Sequence, residues 1–187
     1  GWRWLRPYVI VLTLLLITRF FIVSHMRLPN QGHALVSLTY YGLRLPGEAL
    51  WGYHRWGYAN PENGDQVVFT CTNKNGQKLT LTGVCYATPG EFVWIDPVRK
   101  IYIPGRTSPD AQPIKIPAKE QTIRVTPYNA RLLAYVMQHY EACNTVNVND
   151  RGQLELDGQP MTRVKLLRDY YWIEMQPDSF LIVPHDA

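Results

Sequence analysis

Few residues of this chain have a type and spacing that could do chemistry. Ser24 stands directly before His25 and superficially suggests a hydroxyl nucleophile with an imidazole base. Adjacent side chains on an extended segment point to opposite faces, so His25 is a poor base for Ser24. The histidines His25, His33, His54, His139 and His185 show no H-x-x-x-H spacing, and no metal site is expected from them. Cys71, Cys85 and Cys143 contain no C-x-x-C pair, which argues against a zinc knuckle or a thioredoxin-like site. They read as three inert small hydrophobes, with one disulfide plus a free thiol as the alternative. Lys74 and Lys78 lie in NKNGQK and read as solvated loop cations. No cofactor is expected.

Those residues must be positioned by a chain of 187 residues, of which 46% are hydrophobic and 18% charged. That balance excludes disorder and fits one core, or at most two domains. The first thirty residues hold Arg3, Arg6, Arg19 and Arg27 and no acid, leaving 15 Lys and Arg against 15 Asp and Glu in the remainder. The folded part is therefore neutral, without the basic stripe of a nucleic-acid reader. Pro7 to Thr18 is free of charge; Arg19 interrupts, and FFIVS follows to Ser24. As a helix this run is on the order of 27 Å long, near the hydrocarbon thickness. Arg3 and Arg6 before it place the N-terminus in the cytoplasm and everything after about residue 24 outside. Trp2, Trp4 and Tyr8 suit an interfacial belt, and no small-x-small cleavage site follows the run.

Beyond the anchor the pattern is β. Turn signals stand at Pro29-Asn30, Pro46-Gly47 and Asn63-Gly64. Strands are expected at 66–70, 79–86, 91–95, 99–103, 122–125, 163–167, 170–174 and 180–183, rich in Val, Ile, Thr and aromatics. One helix is expected, with Thr126 as N-cap, Pro127 at its first position, and Leu132, Leu133, Val136, Met137 and Tyr140 on one apolar face. Asp157-Gly158 signals a hairpin. The predicted fold is mainly β: residues 1–25 are the cytoplasmic start and transmembrane anchor, and residues 26–187 form an extracytoplasmic barrel-like domain with one inserted helix.

Several segments, in order, resemble bacterial type I signal peptidase, the membrane-anchored Ser–Lys endopeptidase family. Arg19-Phe20 resembles the end of its transmembrane helix, and TYYGLRLPG (39–47) with GYHRW (52–56) resembles its Y-G-x-R-x-P stretch. NGDQVVF (63–69) resembles R-G-D-I-V-V-F, and GVCYATPGEFVWI (83–95) resembles the K-R-x-x-G-L-P-G-D box. DYYWIEM and FLIVPHD (169–186) resemble the closing region, and the helix at 127–141 resembles an insertion seen in Bacteroidetes members. The resemblance implies a signal-peptidase-like β-barrel domain, a serine nucleophile just after the anchor, and a buried lysine base whose pKa is lowered by desolvation.

The chemistry boxes depart from that pattern. Aligned on Pro89-Gly90, the general-base position is Gly83 and the arginine beside it is Val84. In VSHMRLPNQG, Ser24 falls on the nucleophile position when aligned on Gly32, and His25 does when aligned on Met26. The last box is reduced to EMQPDS, with Asp178-Ser179 as a remnant. The resemblance therefore implies a catalytically deficient paralogue at the inner membrane, working in preprotein secretion with its β domain on the periplasmic side. It would bind signal peptides, an active signal peptidase or other secretion machinery, and no nucleic acid. The alternatives are an active divergent signal peptidase with Ser24 as nucleophile, and a structural subunit of an envelope complex. Trp51, Tyr53, Trp56 and Tyr58 either dip into the outer leaflet or pack under a loop.

Overall fold

The computed structural model describes residues 2–17, 23–28, 32–37, 43–44, 55–56, 59–72, 77–96, 102–103, 109–176 and 179–185. The chain divides into two compact units, Gly1–Pro61 with Thr72–Thr82, and Glu62–Cys71 with Gly83–Ala187.

The first unit opens with helix α1 (Trp2–Ile17), favoured by its leucines. Pro7 lies inside it and lacks the N–H that would bond the carbonyl of Arg3. Every described side chain from Trp4 to Ile17 is exposed, including Trp4 at 82% and Leu12 at 60%. Among the described residues no helix is long and apolar enough to cross a membrane. Residues 18–22, including Arg19, lie outside the described residues. Strand β1 (Val23–Leu28) pairs antiparallel with β2 (Gly32–Ser37), from Val23↔Ser37 to Leu28↔Gly32. This corrects an anchor helix running through residue 24. Val23 is β-branched and Ser24 a weak helix former, and the six-residue ladder gives their backbone groups partners. The Pro29-Asn30 turn signal falls between these strands but outside the described residues. Short strands β3 (Leu43–Arg44) and β4 (Arg55–Trp56) also pair. Trp51, Tyr53 and Tyr58 lie outside the described residues.

The second unit contains, in chain order, β5 (Gln66–Thr72), β6 (Lys78–Ala87), β7 (Phe92–Ile95), β8 (Tyr102–Ile103), β9 (Gln112–Lys115) and β10 (Thr122–Arg124). Helix α2 (Ala130–His139) follows, then β11 (Val146–Val148), β12 (Leu154–Leu156), β13 (Gln159–Pro160), β14 (Arg163–Lys165), β15 (Tyr170–Gln176) and β16 (Ser179–Pro184). Thr72 and Lys78–Thr82, at the ends of β5 and β6, group with the first unit. Strands stand at every expected position; β9 and β11 were not expected, because QPIK and VNV are short and broken by proline or asparagine.

The sheets are β16-β15-β6-β5, β8-β7-β9, β11-β12-β13 and β10-β14. No described sheet closes on itself, which corrects the expected barrel to a set of open sheets. Pro113 and Pro160 give one reason: they sit on the outer strands β9 and β13, where a missing N–H blocks further pairing. The hairpin at Asp157-Gly158 is as expected, with positive φ at both residues (52° and 76°), the signature of a type I′ turn.

The core gathers around α2, with Leu133 and Val136 of the helix, Val93, Ile114, Ile116, Val146, Leu154, Leu166 and Tyr170 nearly inaccessible. Leu132 and Tyr140 pack at its margin. The α-helical ladder starts at Ala130, later than its sequence suggests, although the Thr126 hydroxyl accepts from Asn129 N–H (3.3 Å) as an N-cap does. Residues 127–129 form a turn instead, held by Asn129. Its Oδ1 accepts from Thr126 N–H (2.8 Å) and its Nδ2 donates to the carbonyl of Arg124 (2.8 Å). That turn keeps Pro127 outside the helix and joins β10 to it.

Candidate functional site

Ser24 and His25 occupy successive positions of β1, opposite Val36 and Leu35. His33 lies opposite Arg27 on the same ladder. Ser24 belongs to the first unit and Gly83 to the second. Lys74 and His54 lie outside the described residues; Lys78 opens β6 and is exposed.

Gly83 lies on β6, as the register of the Pro-Gly-Glu box predicts. Its neighbours explain the absence of a side chain. The partner strand β15 runs antiparallel, with Trp172↔Ala87, Ile173↔Cys85 and Glu174↔Val84, and its register shifts between Trp172 and Ile173. The shift leaves Tyr86 of β6 without a partner on β15, and beyond Val84 the residues Ile173 and Glu174 crowd Gly83. A Cβ added there would overlap Ile173 Cγ2 and stand 2.7 Å from the carbonyl oxygen of Glu174. Real Cβ atoms do not approach so closely, and a backbone oxygen cannot rotate away. The position aligned with the lysine base therefore accommodates no side chain without movement of β15.

The boxes beside Gly83 act as turn chemistry. Gly64 (φ 94°) lets the Asn63-Gly64 turn fold against β6, where its N–H donates to the Cys85 carbonyl and Cys85 N–H donates to the Asp65 carbonyl, both 2.8 Å. Asp65 Oδ2 accepts from Glu62 N–H (2.9 Å). Pro89 and Gly90 (φ 86°) take the two central positions of a type II turn closed by Glu91 N–H on the Thr88 carbonyl. The Glu91 carboxylate accepts from Thr88 N–H (2.7 Å) and Asn63 Nδ2 (3.4 Å), linking the two turns. Burial opposes its ionisation, but these hydrogen bonds outweigh burial and hold its pKa below the usual value.

Cys71, Cys85 and Cys143 are all free thiols. Burial pushes the Cys85 thiol up to about 11, reinforced by the charges of Asp65 and Glu91, so it stays protonated and inert at neutral pH. Among the described residues no cluster of His, Cys, Asp and Glu could hold a metal ion. His139 ends α2, stacked on Tyr135 with ring centroids 4.1 Å apart, and His185 lies 3.4 Å from the Tyr171 hydroxyl. Of the remnant closing box, Ser179 opens β16 and is exposed, and Asp178 lies outside the described residues.

One polar centre escaped sequence reasoning. Glu141 accepts from the Tyr170 hydroxyl (2.7 Å) and, with both oxygens, from Leu167 N–H (3.2 and 3.3 Å). Beside it the Tyr140 hydroxyl donates to the Ile182 carbonyl (3.3 Å), and burial first, then Tyr135, raises its pKa well above that of a free phenol. These groups tie the end of α2 to β15, β16 and the bend before β15. With Glu141 and Tyr170 separated by 29 positions, no local spacing announces the contact.

Comparison with protein-family models, characterised proteins and solved structures returns no match.

Proposed function

We propose that the chain is a signal-peptidase-like membrane protein that has lost proteolysis and retains a surface for an extended peptide. The observation that carries this reading is the packing around Gly83. In the family that the sequence boxes resemble, a lysine there takes the proton of the serine hydroxyl, and glycine has no group to do so. The crowding by Ile173 and Glu174 makes the substitution part of the fold. A peptide would add to an open sheet edge, where main-chain hydrogen bonds supply affinity; β5 and β16 are the outer strands of their sheet. Full-length protein in detergent should hold a fluorescent preprotein signal peptide, read as a saturable rise in anisotropy. A flat titration would remove the peptide-binding reading.

The anchor belongs to the same proposal. Beyond Arg6, α1 carries no charge and is exposed, and the Thr13 hydroxyl donates back to the Val9 carbonyl (2.8 Å), satisfying itself without water. At 1.5 Å per residue its described length is about 24 Å, somewhat less than the hydrocarbon core. Protease added to intact spheroplasts should digest the chain beyond about residue 30, given the cations at Arg3 and Arg6. Protection of that entire region would reverse the topology and the periplasmic placement.

A further inference from the structure

The two-stranded ribbon of β10 and β14 carries a feature that peptide binding does not use. Its register is Thr122↔Lys165, Ile123↔Val164 and Arg124↔Arg163. Ile123 and Val164 are buried in the core, so Thr122, Arg124, Arg163 and Lys165 share the opposite face, and all four are exposed. Val125 N–H donates to the Thr162 carbonyl (2.9 Å). Position 124/163 is therefore a non-hydrogen-bonded pair, the kind whose Cβ atoms stand closest, about 4.5–5.5 Å apart. Two arginines face each other there, with Lys165 one step along the same face. Like charges so placed repel. Among the described residues these three side chains make no hydrogen bond or ion pair. Glu120, exposed at positive φ (61°) in the turn before the ribbon, leaves it net positive.

Exposed apolar groups rim both ends. Leu167, 70% exposed, stands on the bend after β14, its N–H held by Glu141. Tyr128, 50% exposed, stands on the turn after β10 that Asn129 fixes. We propose that this face is a docking surface for an anionic bilayer, with Arg124, Arg163 and Lys165 on the headgroup phosphates and Leu167 and Tyr128 at the interface. The charge is complementary to anionic lipid, and a tyrosine and a leucine beside it suit the headgroup boundary. An acidic protein segment would use the cations but leave that rim unexplained. The inference rests on the membrane reading above, and its test separates the two.

Full-length protein is reconstituted into discs of phosphatidylcholine or of phosphatidylglycerol, and acylation of the Lys165 amine is followed by mass spectrometry. Two to three net cations near an anionic surface should favour docking about 30- to 150-fold, so acylation should slow by about tenfold or more in phosphatidylglycerol alone. Arg124→Glu combined with Arg163→Glu should restore the fast rate while the chain still elutes with the discs. Equal rates in both lipids would overturn the proposal. So would protection that appears only when a polyglutamate peptide is added, which would assign the face to an acidic protein. Failure to elute with phosphatidylcholine discs counts against the anchor alone. The ribbon is then read from elution with phosphatidylglycerol discs and its loss in the double variant.

Discussion

Gly83→Ala should lower the unfolding midpoint by about 10 °C, the equivalent of about 3 kcal/mol for overpacking in a chain of this size. The single added methyl would overlap Ile173 Cγ2 and press on the Glu174 carbonyl at 2.7 Å. The isoleucine can change rotamer, but the carbonyl belongs to the ladder between β6 and β15 and moves only with the strand. Gly83→Lys should cost at least as much. Thermal unfolding followed by circular dichroism is the measurement. A midpoint unchanged by Gly83→Ala would mean that β15 yields freely, and the steric account of this glycine would fall. Gly83→Lys with a normal midpoint and new peptidase activity would show that the lysine was the only deficit.

Full-length protein in detergent should leave a preprotein uncut above the background of Ser24→Ala. Serine attack needs a base for the hydroxyl proton, and loss of one member of such a unit costs about 10⁴-fold or more. Donors near the serine can leave weak residual catalysis over water, so the comparison with Ser24→Ala decides. Cleavage that vanishes in the variant would make Ser24 the nucleophile and this chain an active, divergent peptidase.

Much of the β pattern was legible because its turns use residues with few conformational alternatives. Asn63-Gly64, Pro89-Gly90 and Asp157-Gly158 all mark observed turns, each with a glycine at positive φ. The helix was placed a few residues early: Thr126 does cap the opening turn, its hydroxyl accepting from Asn129 N–H, but Asn129 also bonds Arg124 and Thr126 and holds residues 127–129 as a turn before the helix. The barrel was an inference from topology, and nothing local in a sequence states whether strand edges meet. Gly83 was legible as a glycine within a strand, but the crowding that excludes a side chain there comes from β15, about ninety residues away. The cationic ribbon was visible in principle, since T-I-R and R-V-K each alternate polar, apolar, polar. Only the pairing of the two strands puts the arginines opposite each other.

In the four-stranded sheet, β15 and the end of its outer neighbour β16 are buried on both faces. Tyr170, Tyr171 and Ile173 of β15 and Ile182 and Val183 of β16 are all buried, although neighbouring residues point in opposite directions. Such strands read as continuous apolar runs rather than alternating ones. In a sheet with one wet face, a slip of one residue is punished at once, because it turns every apolar side chain into water. Here that penalty is weak, since either phase buries hydrophobic groups. Alignment of β15 must then be proofread by shape. Gly83 supplies the mark: Ile173 and the Glu174 carbonyl stand so close to it that no Cβ fits, and a slipped strand would bring a residue with a side chain to that place. Gly83 thus serves as a folding gauge, selecting one alignment among several of similar hydrophobic content.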